Sequence, residues 1–521
     1  MTPGRPGARN PGQVRGEEVG SFALVLHTHL PWLLHHGAWP VGEEWLHQAW
    51  ADAYIPLAEV LGELADEGRQ DVLTLGVTPV VAAQLDDPEG LRRQHTWLGF
   101  WQARALALAS HPDAAMREVG AREHLRAVRT TALFEQRWSA GASPVLRDLA
   151  ERGVVELLGG PAAHPFQPLL DERVARFSLR TGLDDHRWRL GRTPAGLWAP
   201  ECAYRPGLEA MYADAGITHV MVDGPTLAHV GRSSADAWTL GDSEVAAFGR
   251  NLEVSYRVWS PRRGYPGGAW YRDFHAFEHG SGFRPYRVTS TRLPSDQKAL
   301  YEPDRATAAV ERDARDFVSH VREHLVLERD RRDGRPGLVV AAYDTELFGH
   351  WWHEGPQWLA RVLRLLPEAG VRVTTLQRAL EAGAVAGRVD PEPGTWGAGK
   401  DFHVWDGEPV RDLVADHELA TERVLAVLDK AWPWGHRDAA LDQLARSLLL
   451  ALASDWAFMV SKDSAAGYAR DRHRRHTDDV LRLADLLAAG RGHDAAREAA
   501  RQGATDGPFP HLDARLLAAT G

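Results

Sequence analysis

The stretch LVVAAYDTELFGHWW, residues 338–352, runs through six apolar or small residues and turns polar at Asp344. A strand with one wet face alternates apolar and polar side chains, whereas an unbroken apolar run is covered on both faces, as in a parallel sheet flanked by helices. The same shape recurs along the chain at FALVL (22–26), DVLTLGV (71–77), VVELL (154–158), AGLW (195–198), ITHVMV (217–222) and VRVTTL (371–376). Helical patterns separate these seven runs, which predicts βα repeats in a closed or nearly closed parallel barrel. In such a barrel every strand ends on the same rim, where the loops build the site. The polar residues that follow the strands are therefore expected to converge: His27 and His29 in HTHLPW, His164 in GGPAAHP, Glu201 in APECAY, and Asp344 itself.

Outside these runs the pattern changes twice. From about residue 223 to 300 the chain is rich in Gly, Pro, Arg and aromatics without clear periodicity, which reads as a functional insertion within a barrel spanning 21–390. From 391 to 521 it reads as an α-helical domain, with helices over Val410 to Ala431, Asp438 to Val460 and Arg474 to Ala489. Residues 1–20 are rich in Pro, Gly and Arg, lack the apolar core of a signal peptide, and read as a disordered tail.

Composition excludes several classes. A net charge of −11 disfavours a nucleic-acid partner. The apolar stretch from Ser447 is too short to span a bilayer and carries Asp455. The single cysteine, Cys202, points to a reducing compartment and a cytoplasmic location. The 20 Trp outnumber the 14 Phe and 10 Tyr, and an indole face suits the C–H face of a sugar ring, although most of these residues are expected to pack the core.

Three chemistries compete at the rim. A Cys202 nucleophile needs a positive field, and its neighbour Glu201 raises the thiol pKa instead, so Cys202 reads as a packing residue. A metal held by His27, His29, His164 and Asp344 is sterically open, but no carboxylate stands beside the first histidine pair. The third reading pairs Glu201 and Asp344 as the two carboxyls of a glycoside-cleaving enzyme, set among tryptophans that include Trp198.

At these residues the sequence resembles glycoside hydrolase family 57, and within it the members that branch α-1,4-glucans. HTHLPW, GGPAAHP, GLWAPECAY and AAYDTELFGHWW look like four family motifs in order, and GTWGAGKDFHVW and LLLALASDWAF look like motifs of the helical domain. The resemblance implies an α/β fold with an incomplete (β/α)7 barrel, an inserted segment and a C-terminal α-helical domain lining the cleft. It also implies a retaining mechanism without metal or cofactor, in which Glu201 is the nucleophile and Asp344 the general acid/base. His27, His29, His164, Trp198, Trp396, Trp405, Asp455 and Trp456 would contact the glucan. The implied reaction cuts an α-1,4 linkage and passes the chain to a 6-hydroxyl. The alternatives are an α-glucan hydrolase or 4-α-glucanotransferase with the same site, a metal-dependent polysaccharide deacetylase, and a non-catalytic polysaccharide-binding protein. The expected partner is an α-glucan alone, with the chain a monomer or weak homo-oligomer.

Two departures from the family pattern stand out. Branching members carry a tyrosine in a loop after the fifth strand, whereas GPTLAHVGRSSADAWTLGDS has none, Trp238 being its only aromatic residue. A family tryptophan after WYRDFH is replaced by AFEHGSG. Both predict a larger hydrolytic share, with Trp238 and Trp405 as substitute platforms for an acceptor.

Overall fold

The computed structural model describes residues 18–518 apart from residues 40, 261–263 and 432–435. Most of the expected tail, residues 1–17, lies outside the described residues. Ten strands are present among those described: β1 Gly20–Thr28, β2 Leu73–Val77, β3 Val155–Leu158, β4 Gly196–Leu197, β5 His219–Asp223, β6 Ala237–Leu240, β7 Ala246–Arg250, β8 Gly337–Asp344, β9 Val371–Thr374 and β10 Val385–Val389. One sheet runs β3-β2-β1-β8 and a second contains β7-β5-β4, with all of these neighbours parallel. A parallel bridge between Gly159 and Leu197 joins the two sheets on one side. On the other side the Asn251 N–H donates to the Val340 carbonyl at 2.8 Å. The result is a ring of seven parallel strands, the (β/α)7 architecture.

One barrel strand differs from the sequence reading. The run at 371–376 forms β9, which pairs only with the lower half of β1, from Gly20 to Ala23, and does not close the ring. The closing strand is β7, AAFGR, inside the stretch read as an irregular insertion. Three small residues in five leave it little of the β-branched and aromatic signal by which strands are recognised. β6 runs antiparallel to β7 and carries β10 on its outer edge.

Strand parity aims the rim residues. Ala23 and Val25 of β1, Phe248 of β7, and Val340 and Ala342 of β8 share one buried cluster inside the barrel, whereas Phe22, Leu24, Val339 and Ala341 belong to the outer cluster under the helices. Side chains alternate along a strand with period two. His27, Arg250 and Asp344 are the next members of the inward series, and His27 lies in register with Asp344.

The helical region also departs from its sequence reading: the helix expected over Arg474 to Ala489 runs from Ala466 to Ala488, and a further helix, Gly492–Gly503, follows it. The helix expected over Asp438 to Val460 is two helices, Ala439–Ala451 and Ser454–Ser461. Between them Ala453 is extended (φ −56°, ψ 132°) and pairs antiparallel with Pro165. No Gly or Pro announces this break; the chain leaves the helix to bond to the barrel.

The loop bearing His164 is held by close packing on the helix Glu172–Leu190, where a Cβ on Gly182 would sit 2.0 Å from the Gly160 carbonyl oxygen. Gly182→Ala is expected to cost about 2–3 kcal/mol through this clash, read as a lower midpoint in thermal or urea unfolding; an unchanged midpoint would show that the contact yields freely.

Candidate active site

Glu201 sits just past β4, within the single turn Pro200–Cys202, in the left-handed region at φ 60° and ψ 20°. Cys202 (φ 48°) and His164 (φ 55°) share that region, which is costly for side chains with a Cβ and persists only where the surroundings fix it. The fixing groups are visible. The Glu201 carbonyl accepts from the Trp396 N–H at 3.0 Å and from the Thr395 hydroxyl at 2.6 Å. Its carboxylate accepts from the Trp396 indole at 2.8 Å on one oxygen and from the Ser454 hydroxyl at 2.8 Å on the other.

These contacts extend into a directed chain. Because Ser454 donates to Glu201, its oxygen accepts from Nδ1–H of His164 at 2.9 Å. A neutral His164 then has a bare Nε2, which receives Nε2–H of His27 at 3.1 Å. The bare nitrogen left over is His27 Nδ1, which has no hydrogen-bond partner. Burial holds both His27 and His164 well below the usual imidazole range, so neutral rings are the expected forms. His29 behaves differently. Burial opposes its charge, but the Asp455 carboxylate, 3.0 Å from its Nε2, outweighs this together with Glu201 and Glu346, and its pKa is raised.

The three imidazoles stack closely, with ligand atoms within 4.8 Å of one another, a spacing that would admit a metal ion. Their nitrogens, however, are committed. The lone pair of His164 Nε2 faces His27, His29 lies between Thr78 and Asp455, and only His27 Nδ1 is left over.

A cavity of about 590 Å³ brings together Glu201, Asp344, His27, His29, His164 and Trp396, with Asp455 and Phe458 of the helical region on its wall. Three acidic groups there are pushed up by burial: Glu201 to about 7, Asp344 to about 6 and Glu346 to about 8.

A sequence model for glycosyl hydrolase family 57 matches residues 23–389. The chain belongs to glycosyl hydrolase family 57. A second model, the C-terminal domain of 1,4-alpha-glucan branching enzymes, matches residues 417–517. A probable 1,4-alpha-glucan branching enzyme of Mycobacterium tuberculosis is 52% identical over 519 residues, covering 96% of this chain and 98% of that protein. The crystal structure of a family 57 branching enzyme from Pyrococcus horikoshii superposes with a TM-score of 0.90 at 31% identity, covering 96% and 97% of the two chains. An alpha-amylase from Thermotoga maritima superposes with a TM-score of 0.85 at 25% identity, covering 96% and 99%.

Not every expected contact of this family 57 member borders the cavity. Trp198 is 1% exposed and stacks on His27 at 4.3 Å, supporting the ring from beneath. Trp405 stacks on Phe166 at 4.4 Å, and Trp456 gives its indole N–H to the Leu450 carbonyl at 2.9 Å. Both are buried, which corrects the expectation that they touch substrate: they pack the helical region against the barrel. Trp238 lies under Arg232 on β6, away from the cavity, and so is not the acceptor platform expected of it.

Other residues of the site carried no sequence signal that had been read. Glu346 accepts from the Tyr54 hydroxyl at 2.5 Å and from the His29 N–H at 3.2 Å. Tyr54 ends a five-residue π-helical turn, Trp50–Tyr54, a form often found at functional sites. Asp223 ties Arg250 at 2.8 Å to Lys400 at 2.7 Å. Recognition of β7 would have disclosed Arg250 through its inward parity.

The raised Glu201 pKa carries a stability cost with a defined sign. The unfolded carboxyl ionises near 4.5 and the folded one near 7, so the native state binds the extra proton and loses stability as pH rises across that interval. Glu201→Gln removes this term. Its unfolding midpoint is expected above the parent's at pH 8, by up to about 3 kcal/mol in stability, with the gap closing below pH 4.5. Equal midpoints at pH 8 would contradict the raised pKa.

Proposed function

We propose that this family 57 enzyme is a 1,4-α-glucan branching enzyme that works by double displacement, with Glu201 as nucleophile and Asp344 as general acid/base. The supporting observation is that two carboxyls from different strand ends, Glu201 buried and Asp344 partly buried, face one cavity, in a chain similar over nearly its whole length to branching enzymes. Burial raises both groups, Glu201 to about 7 and Asp344 to about 6, an order that does not assign their roles; the match of the two residues to the family motifs does, and the bonds on Glu201 fit it. Glu201 receives an indole N–H, which can only donate, and a hydroxyl, a set that favours the anion needed for attack. Burial outweighs the His29 and Arg250 charges that favour ionised Asp344 and raises it to about 6, where the acid and base forms both lie within reach of neutrality.

In the first step the Glu201 carboxylate attacks the anomeric carbon, the bond to the departing O4 breaks, and Asp344 supplies the proton that O4 takes up. In the second, the Asp344 carboxylate takes the proton of an acceptor 6-hydroxyl as that oxygen displaces Glu201. Two inversions give an α-1,6 linkage with net retention. The histidine chain fixes the orientation of Ser454 and hence of the nucleophile, and the His29–Asp455 pair offers polar groups to sugar hydroxyls. Trp396 is the substrate-contacting indole we retain from the sequence reading, together with His27, His29, His164 and Asp455. We assign residues 21–390 to the catalytic unit and 391–521 to the helical domain, and place the enzyme in the cytoplasm, acting on glucan of the glycogen class. No helix among the described residues is long and apolar enough to cross a membrane.

Water competes with the acceptor for the ester. None of residues 224–243 lines the cavity, whereas Tyr256 and Trp259 stand at its mouth, 44% and 46% exposed. We therefore expect transfer accompanied by a measurable hydrolytic share. Incubation with amylose should yield new α-1,6 linkages in addition to new reducing ends; reducing ends alone would make the enzyme a hydrolase.

Glu201→Gln should abolish both products, because an amide cannot form the ester, while Cys202→Ser should retain most activity and EDTA should leave it unchanged. Loss of activity in Cys202→Ser, or zinc-reversible inhibition by EDTA, would sink this assignment in favour of a thiol or metal site.

A further inference from the structure

Beside the active-site cavity, and sharing Trp351 with it, lies a larger open groove of about 1080 Å³. Its walls come from the helical hairpin Pro88–Leu108 and Ala114–Leu133, from the inserted segment between Arg272 and Tyr286, and from the loop after β8. Aromatic rings line it in pairs. Trp39, 63% exposed, lies 6.3 Å from Phe277, and Trp97 lies 5.6 Å from Trp101. The exposed Trp39 indole offers a flat face at the lip of the groove on which a sugar ring can stack.

The polar groups suit a neutral ligand. Four arginines on the lining are opposed by five carboxylates, and much of this charge is spent in pairs such as Arg126 with Asp52 at 2.5 Å and Arg272 with Glu123 at 2.7 Å. Arg284 is different. It lies over Phe274 at 4.6 Å and Phe277 at 5.6 Å, and donates its Nε–H to the Phe274 carbonyl at 2.7 Å. Among the described residues no carboxylate forms an ion pair with it, so its terminal N–H groups remain for a ligand. A phosphate-bearing ligand would call for net positive charge, which this lining lacks. Flat aromatic faces, balanced charge and unspent donors match an uncharged polyhydroxylated chain.

We propose that this groove binds the acceptor glucan chain, delivering its 6-hydroxyl past Trp351 to the ester on Glu201. The inference rests on the branching reading. While the donor occupies the active-site cavity, the second chain must approach over a contiguous surface, and this groove adjoins that cavity. It also gives the inserted segment a role, since Phe274, Phe277 and Arg284 all belong to it.

The test uses the full chain carrying Trp39→Ala or Phe277→Ala, with α-maltotriosyl fluoride as donor and amylose as acceptor. Fluoride release counts ester formation, and α-1,6 linkages count productive acceptors. The ratio of linkages to fluoride is expected to fall roughly tenfold, with a matching loss of retardation of the protein in amylose-containing gels. Trp39 is largely exposed, so its removal opens no core, and circular dichroism checks the fold of both variants. Parent-level ratio and retardation in both variants would overturn the proposal. Lost retardation in variants of a parent that releases fluoride but forms no α-1,6 linkages would keep the groove as a glucan site, while overturning its acceptor role and the branching reading with it.

Discussion

The hydroxyl of Ser454 is the point on which the site depends. It belongs to the helical region, yet it donates to the Glu201 carboxylate and accepts from His164, joining the last third of the chain to β3 and β4. With Glu201 ionised and both histidines neutral, one proton order satisfies every link from His27 to Glu201. Burial favours the neutral rings. Ser454 reaches its position only because Ala453 leaves the helix to pair with Pro165, and the Ser454 N–H then bonds to the His164 carbonyl at 3.0 Å.

Around this point the structure accepts several local costs together. His164, Glu201 and Cys202 hold left-handed backbone, and three carboxyls sit in surroundings that oppose their charge. What maintains them is a set of braces from distant segments: Thr395 and Trp396 on Glu201, and Tyr54 on Glu346. Strain concentrated in a braced pocket is what reactive geometry requires, since groups relaxed by water would lose their orientation.

Much of this was legible in the sequence. Unbroken apolar runs disclosed a parallel barrel, and the polar residues singled out after four of those runs met at one rim, because strand direction and parity leave a side chain little choice. β7 escaped because Ala246, Ala247 and Gly249 leave the strand little propensity signal, although Phe248 and Arg250 face the barrel interior. The tryptophans misled in part: Trp405 and Trp456 fill the contact between barrel and helices, a role that composition cannot tell from binding a sugar. Ser454, Glu346 and Tyr54 were missed because a single polar residue becomes meaningful only once the fold supplies its partner.

The break at Ala453 has a consequence for how the protein comes into being. A ribosome completes every barrel strand well before residue 454 is added, so until then Glu201 lacks its Ser454 donor. A nascent chain at that stage has the carboxyls but not the Ser454 bond that orients Glu201. The full set of bonds on Glu201 is thus complete only late in synthesis, once the helical region has docked.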